Sequence, residues 1–386
     1  MKKKFLGVVL SVAMVASLVA GCGGEKTEEP APEAGQEQTE EAGGEEEAGE
    51  EEAAGGEEAA GGLVGVAMPT KDLQRWIQDG ENMEKQLKEA GYEVDLQYAS
   101  NDIATQVSQI ENMISNGCKA LVIASIDGSA LGTVMDQAKE AKIPVIAYDR
   151  LIMDSAAVSY YATFDNEMVG QKQGEYIVEA LDLENAGDKK FNIEFVTGDP
   201  GDNNVNFFFG GAMKVLQPYI DAGTLVCPSG QMKQEEVATV NWDTQKAQER
   251  FETILSSYYA NGEKLDAVLA SNDSTALGVA NALASSYEGD YPVLTGQDCD
   301  IASVKNMIKG KQSMSIFKDT RTLATQVVKM VDAIMTGGEA PVNDTETYDN
   351  GALVVPSFLC EPVFADVNNY KELLIDSGYY KESDLQ

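Results

Sequence analysis

Apolar and polar positions follow two different spacings along the chain from Leu63 onward. Short runs of β-compatible residues, such as LVGVAM from Leu63 and ALVIAS from Ala120, are followed by stretches whose apolar residues recur at helical spacing. The runs are typical of strands buried on both faces of a sheet, and the stretches are typical of amphipathic helices. A repeated strand–helix order predicts parallel sheets with right-handed crossovers. The chain is therefore predicted to be an α/β protein.

The strand–helix order begins a second time near Tyr160 and continues to the C-terminus. The combined length is too great for one compact core, which favours two lobes. Each lobe is predicted to be a doubly wound parallel sheet. Two lobes of similar size predict a ligand cleft between them.

Polar residues follow the predicted strands at the point where each strand ends. The apolar run 145–148 leads directly into Asp149 and Arg150. Ligands of parallel sheets bind beyond the carboxyl ends of the strands, so this pair is placed to face a crevice. A carboxylate and a guanidinium can together hold adjacent hydroxyl groups of a small polar molecule. The alternative for this pair is an ion pair in a surface loop.

The other predicted strand ends carry the same kinds of side chain. The candidate binding residues are Arg75, Trp76, Asp149, Arg150, Asp202, Asn204, Trp242, Asn272, Asp298 and Lys318. Charged and amide groups in such numbers suit a neutral polyhydroxylated ligand, and an indole face packs against the C–H side of a sugar ring. The alternatives are that Trp76 and Trp242 are core residues and that Asn272 is a helix N-cap.

Composition excludes several classes of function. The net charge of −36 repels nucleic acid and anionic lipid head groups. The chain has no histidine, which excludes Ser-His-Asp triads and His-based zinc sites. Beyond Cys22 the cysteines are irregularly spaced at Cys118, Cys227, Cys299 and Cys360. We expect these four to be buried small hydrophobes, with one disulfide as the alternative because export permits it.

The N-terminal segment predicts export and lipid anchoring. Residues 1–22 contain three lysines, an apolar run and the sequence Val-Ala-Gly-Cys, which together describe a lipoprotein signal ending at a lipobox, with Cys22 as the lipidated residue. Residues 23–62 contain 15 glutamates and a single lysine, without apolar periodicity. This segment is predicted to be a disordered acidic tether. The expected location is extracytoplasmic, with the only membrane attachment through the lipid and a Gram-positive surface favoured over a periplasm.

Several motifs, taken in order, carry a family resemblance over the whole chain from Leu63. They are AMPTKDLQRW, QYASNDIATQVSQIENMISNG, VIAYDR, FDNEMVGQ, DPGDNN, NWDTQKA, ASNDSTALG, GQD and FKDT. Their combination resembles the periplasmic monosaccharide-binding proteins of sugar ABC importers, in particular the xylose-binding and multiple-sugar receptors. The resemblance implies a type I periplasmic-binding-protein clamp with a three-crossing hinge.

The resemblance also implies lobe boundaries and residue roles. Residues 63–164 plus 319–350 would form the N-terminal lobe, residues 165–318 plus 351–386 the C-terminal lobe, and the third crossing would lie near residues 348–351. By similarity the ten candidate residues hold the sugar, with Trp242 as the second stacking tryptophan and Lys318 at the hinge. No counterpart of the family's calcium loop is present, so neither a metal nor another cofactor is expected.

The expected function is capture of a monosaccharide of the xylose, glucose, galactose or arabinose class, by a monomer that delivers it to ABC permease subunits. The alternative is a sensory role, in which the bound sugar is presented to a chemoreceptor or sensor kinase. Catalysis is disfavoured because the basic residues interleaved with Asp149, Asp202 and Asp298 keep these acids ionised, whereas glycoside hydrolysis needs one protonated acid. A repressor role is disfavoured because the chain begins with an export signal rather than a DNA-binding helical module.

Overall fold

The computed structural model describes residues 61–386. The predicted signal, Cys22 and nearly all of the acidic tether lie outside these residues. The strands are β1 (Leu63–Met68), β2 (Glu93–Tyr98), β3 (Ala120–Ile123), β4 (Val145–Tyr148), β5 (Val158–Phe164), β6 (Phe191–Val196), β7 (Leu225–Val226), β8 (Ala267–Ala270), β9 (Val293–Leu294), β10 (Met314–Phe317), β11 (Ser357–Cys360) and β12 (Val363–Asp366). The helices are α1 (Gln74–Glu89), α2 (Ile103–Ser115), α3 (Gly132–Glu140), α4 (Asn166–Ala180), α5 (Asn204–Asp221), α6 (Gln234–Val237), α7 (Thr244–Tyr258), α8 (Asp273–Ser286), α9 (Ile301–Ile308) and α10 (Thr320–Thr336).

The first lobe is built on a six-stranded parallel sheet in the order β11-β5-β4-β3-β1-β2. Alternate residues of β1 enter different layers: Val64 and Val66 pack on one face of the sheet with residues of α1 and α10, and Ala67 packs on the other with residues of α2 and α3. Both faces are therefore buried, as the continuous apolar runs predict. The predicted α/β fold class is confirmed.

The second lobe contains the parallel order β7-β6-β8-β9. The antiparallel pair β10–β12 extends it, because backbone amides of Ser313 and Ile316 donate to the carbonyls of Leu294 and Gly296 at 2.9 and 3.1 Å. Helices α4 and α5 lie against each other at Gly170, where an added Cβ would come within 2.0 Å of the Phe208 carbonyl oxygen. This close approach fixes the position of the first turns of α5, which carry residues of the site described below.

The chain passes between the sheets after β5, after β10 and after β11. The expectation that residues from 351 onward belong to the second lobe is wrong for β11, which pairs with β5. The physical reason is that Asn350 holds the preceding loop on the first lobe, its Nδ2 donating to the carbonyls of Ile152 and Ser155 at 3.0 and 2.8 Å. The third crossing therefore lies between Cys360 and Val363.

The four cysteines of the described residues are all free thiols. Cys118, Cys299 and Cys360 are buried, as expected of small hydrophobic residues, whereas Cys227 is half-buried. None of the helices within residues 61–386 combines the length and the apolar character needed to cross a membrane.

Candidate ligand cleft

A cavity of about 280 Å³ lies where the carboxyl ends of the two sheets face each other. The first lobe contributes the loop before α1, the start of α1 and the residues after β4. The second lobe contributes the loops after β6, β8 and β9, together with α5 and the turn before α7. The lining residues are Leu73, Arg75, Trp76, Asp149, Arg150, Asp202, Phe208, Trp242, Asn272, Gln297, Asp298 and Lys318.

Nine of the ten candidate residues line this cavity, and Asn204 does not. Asn204 is buried at the start of α5, and its Nδ2 donates to the backbone carbonyl of Asp149 at 2.6 Å. It therefore joins the lobes directly instead of facing the cavity. The sequence reasoning missed Leu73, Phe208 and Gln297 as lining residues. Gln297 could have been found from the GQD motif, whereas no signal distinguishes Leu73 and Phe208 from core residues.

A buried network of charges forms the floor of the cavity. One guanidinium, that of Arg75, lies 2.8 Å from Asp79, 2.9 Å from Asp149 and 3.5 Å from Asp298 of the other lobe. Lys318 Nζ lies 3.1 Å from the same Asp149 carboxylate. Burial opposes ionisation of Asp149, but the charges of Arg75 and Lys318 prevail and lower its pKa to about 2. Asp149 is thus an anion at neutral pH.

Arg150 lies between the lobes and does not form a surface ion pair. Its Nε is 3.0 Å from Oδ2 of Asp202 in the second lobe, and its Nη1 donates to the carbonyls of Ser125 and Ile126 at 3.2 and 3.3 Å. The guanidinium is also 5.0 Å from the ring centre of Trp76. Burial raises the pKa of Asp202, and the charge of Arg150 opposes that rise. The alternative of a solvent-exposed pair is therefore wrong.

The two tryptophans enter the cavity in different ways. Trp76 lines the cavity and is also part of the first lobe's core, so the core alternative is correct for this residue. Trp242 lies against the end of β6, where Gly198 makes room for it: a Cβ on that glycine would come within 2.0 Å of the indole ring. Within the described chain, the Nε1 atoms of both indoles are buried without a hydrogen-bond partner. Both N–H groups are thus unused donors within residues 61–386.

Three residues that line the cavity have a positive backbone angle φ, although none of them is a glycine. The φ values are 58° at Asp149, 98° at Asp298 and 55° at Trp242. Side chains with a Cβ adopt this region at a cost of about 1–2 kcal/mol per residue, and such strain persists where the surrounding structure enforces it, often at binding sites. The strain is consistent with a ligand-binding cleft.

Asn272 is both a helix cap and a lining residue. Its Oδ1 accepts the Thr275 amide at 3.0 Å at the start of α8, and its Nδ2 donates to the Ser274 hydroxyl at 2.9 Å. The N-cap interpretation is therefore correct without excluding the binding role. The capping bonds fix the orientation of the amide toward the cavity.

A second layer of acids lies behind Asp298. Asp273 accepts hydrogen bonds from Gln312 and Ser315 at 2.8 and 2.9 Å and from the Asp300 backbone amide at 2.9 Å. Burial and the neighbouring acids raise the pKa of Asp273 well above its usual value. Burial and the charge of Asp298 raise the pKa of Asp300 to about 7. This pair of acids lies next to the cavity without lining it.

The cavity lining is balanced in charge, since three cations face three anions. The cations are Arg75, Arg150 and Lys318, and the anions are Asp149, Asp202 and Asp298. Such a site offers strong donors and acceptors to a neutral molecule without attracting a net charge. Among residues 61–386 there is no group of acids and cysteines placed to hold a metal ion.

The model of the periplasmic binding protein domain matches residues 64–339. The multiple sugar-binding periplasmic protein of Azospirillum brasilense is 51% identical over 84% of this chain and 91% of its own length. The D-xylose-binding periplasmic protein of Escherichia coli is 36% identical over 83% of this chain and 92% of its own.

Among solved structures, an ABC transporter solute-binding protein from Clostridium phytofermentans with bound β-D-glucose is 74% identical. It covers 84% of this chain and 100% of its own, with a TM-score of 0.83. These relatives are binding proteins rather than enzymes, which agrees with the expectation that the chain is not an enzyme. The chain belongs to the periplasmic binding protein family, in its branch of sugar-binding receptors of ABC transporters.

Proposed function

We propose that the chain captures a monosaccharide of the xylose, glucose, galactose or arabinose class by lobe closure and delivers it to an ABC importer. The observation that carries the proposal is the cavity between the lobes, which combines two indoles with a balanced set of buried charges. Both lobes contribute to its lining, so a ligand held there contacts both of them.

The mechanism is a population shift between open and closed lobes. In this proposal the lobes comprise residues 63–164 plus 319–360 and residues 165–318 plus 361–386. Arg75, Trp76 and Asp149 contact the sugar from one side, and Asn272 and Asp298 contact it from the other. A sugar can touch both sets only in the closed state, so binding favours that state by the energy of the added contacts.

A thermal-shift panel of D-xylose, D-glucose, D-galactose and L-arabinose tests the proposal. A ligand at about 100 times its dissociation constant stabilises the folded state by ~2.7 kcal/mol. We expect at least one of the four sugars to raise the melting temperature by several degrees. The acyclic polyol mannitol is the control, because it has hydroxyl groups but no ring to lie against an indole. A flat response to all four sugars contradicts the proposed function.

We further propose that the mature protein is a monomer that begins at Cys22 and is held at the outer face of the cell membrane by a lipid on that residue. The support is the Val-Ala-Gly-Cys sequence followed by the acidic segment 23–62. Cys22→Ala is expected to release the protein from the membrane fraction, whereas Cys227→Ala leaves it bound. Equal fractionation of both variants contradicts lipid anchoring.

A sensory role is the alternative use of the same site. A sensor would present the closed, sugar-bound form to a chemoreceptor or sensor kinase. Deletion of the gene separates the roles, since transport predicts loss of sugar uptake and sensing predicts loss of the sugar-dependent response with uptake retained.

A further inference from the structure

A wider polar cavity, here called the vestibule, adjoins the ligand cleft. It encloses about 920 Å³, part of it open to solvent. Both lobes line it, the first through Asp72, Ser100 and Asn101 and the second through Asn241, Asp243 and Gln245. Like the inner cavity, the vestibule is therefore completed only when the lobes meet.

The inner cavity and the vestibule share one lining residue. The side chain of Leu73, which is half-buried, lines both. On the opposite side, Trp242 lines the inner cavity while its chain neighbours Asn241 and Asp243 line the vestibule. A substituent on a ring held in the inner cavity, if directed along Leu73, enters the vestibule.

The vestibule offers neutral hydrogen-bonding groups. Within residues 61–386, the side chains of Ser100, Asn101 and Asn241 make no hydrogen bond, and their backbones are left-handed with φ of 53°, 57° and 61°. Each of the two lining carboxylates accepts a hydrogen bond, Asp72 from the Thr70 hydroxyl at 2.8 Å and Asp243 from the Lys246 amide at 2.8 Å, and both keep further lone pairs. The amides, the hydroxyl and these lone pairs are donors and acceptors for further hydroxyl groups of a ligand.

The linings distinguish the two parts of the ligand. The inner cavity is lined by two indoles and six charged side chains, whereas the vestibule is wider and partly open to solvent. Its lining has no aromatic residue, so the attached group would be bound through hydrogen bonds and not by stacking. Binding there is expected to be weaker than in the inner cavity and less selective for ring stereochemistry.

We propose that the vestibule is a second carbohydrate subsite, which accepts the ring or aglycone attached to the captured sugar. The chain then binds neutral glycosides or disaccharides in addition to free monosaccharides. This inference rests on the proposed function, because it needs a sugar in the inner cavity.

Calorimetry with matched ligands tests the subsite. The probes are D-glucose, its two methyl glucosides, maltose and cellobiose, together with the other three monosaccharides of the panel above. If a different monosaccharide binds best, its methyl glycosides replace those of glucose. We expect at least one glycosylated probe to bind with an affinity within about tenfold of the free sugar, a difference of ~1.4 kcal/mol.

Two variants localise the binding. Gln245 is exposed in the first turn of α7, so Gln245→Trp fills the vestibule from the solvent side. This variant should lower the affinity for the glycosylated probe by about tenfold or more. The affinity for the free monosaccharide should stay unchanged. Lys246→Trp is the matched control, since Lys246 is equally exposed but does not line the vestibule. Asn241→Gly removes one amide at a position whose φ glycine adopts readily, and should act in the same direction.

The outcomes separate the inference from the function on which it rests. If a monosaccharide binds but none of the glycosylated probes does, the second subsite is refuted and the proposed function stands. Glycoside binding that neither Gln245→Trp nor Asn241→Gly weakens also overturns it. Failure of every sugar to bind overturns the proposed function itself.

Discussion

Replacing Asp149 with alanine is expected to lower the free energy of unfolding by about 3–5 kcal/mol, the cost of breaking a buried ion pair. The residue most affected is Lys318, which is 2% exposed and forms its only ion pair among the described residues with Asp149. Arg75 keeps Asp79 and Asp298 as partners. Chemical denaturation of the sugar-free protein measures the loss.

Two further variants identify the source of this effect. Lys318→Met in the Asp149→Ala background removes the unpaired cation, so the double variant should be less destabilised than the sum of the single ones. Asp154→Ala controls for backbone strain, because Asp154 is exposed and also left-handed, with φ of 55°. Aspartate and alanine both carry a Cβ, so that control should cost less than the ~1–2 kcal/mol of the left-handed region itself. The ion-pair explanation is refuted if the double variant loses the sum of the free energies lost by the single ones. It is also refuted if Asp149→Ala and Asp154→Ala lose the same free energy of unfolding.

Asp300→Asn is expected to stabilise the protein clearly more at pH 8 than at pH 5. The pKa of Asp300 is raised to about 7 by burial and by Asp298. A raised acid pKa means that the stability is complete below the ordinary pKa of 3.8, falls between that value and about 7, and is level above it, so only part of the loss is present at pH 5. At about 1.4 kcal/mol per pKa unit, the variant should gain ~2–4 kcal/mol at the higher pH.

Unfolding curves of wild type and variant across this pH range give the test. The Asp300 side chain makes no N-cap hydrogen bond to α9, so the amide loses no such contact. Asp290→Asn, an exposed substitution in the same lobe, controls for the removal of one negative charge. A gain that is the same at both pH values, or is matched by Asp290→Asn, would show that titration of Asp300 is not responsible.

The sequence predicted most of the lining because parallel sheets bring their strand ends together. Asp149, Asn272 and Asp298 are far apart in the chain, yet each follows a strand, so one topological rule places them at one cleft. The rule does not say whether a side chain faces the ligand or the opposite lobe. Asn204 has the same local pattern and instead binds the Asp149 carbonyl.

The lobe exchange at the C-terminus could not be read from local patterns. The apolar run before Cys360 predicts a strand, but its sheet is chosen by register with β5 and by the Asn350 bonds to the first lobe. These partners are about 200 residues earlier in the chain, and hydrophobic spacing carries no information about such pairings. Phe208 was missed for a related reason, since an aromatic residue on a helix is as consistent with a core as with a cavity.

The bond from Asn204 to the carbonyl of Asp149 makes part of the closure energy independent of the sugar. The amide backbone of Gly128 adds another direct contact, donating to the carbonyl of Gly201 at 3.2 Å. Apparent affinity depends on the fraction of molecules able to close, whatever the ligand. Changes at these contacts would rescale the affinity for every sugar by one common factor. Evolution could thereby tune this receptor to scarce or abundant nutrients while its order of sugar preference stays the same.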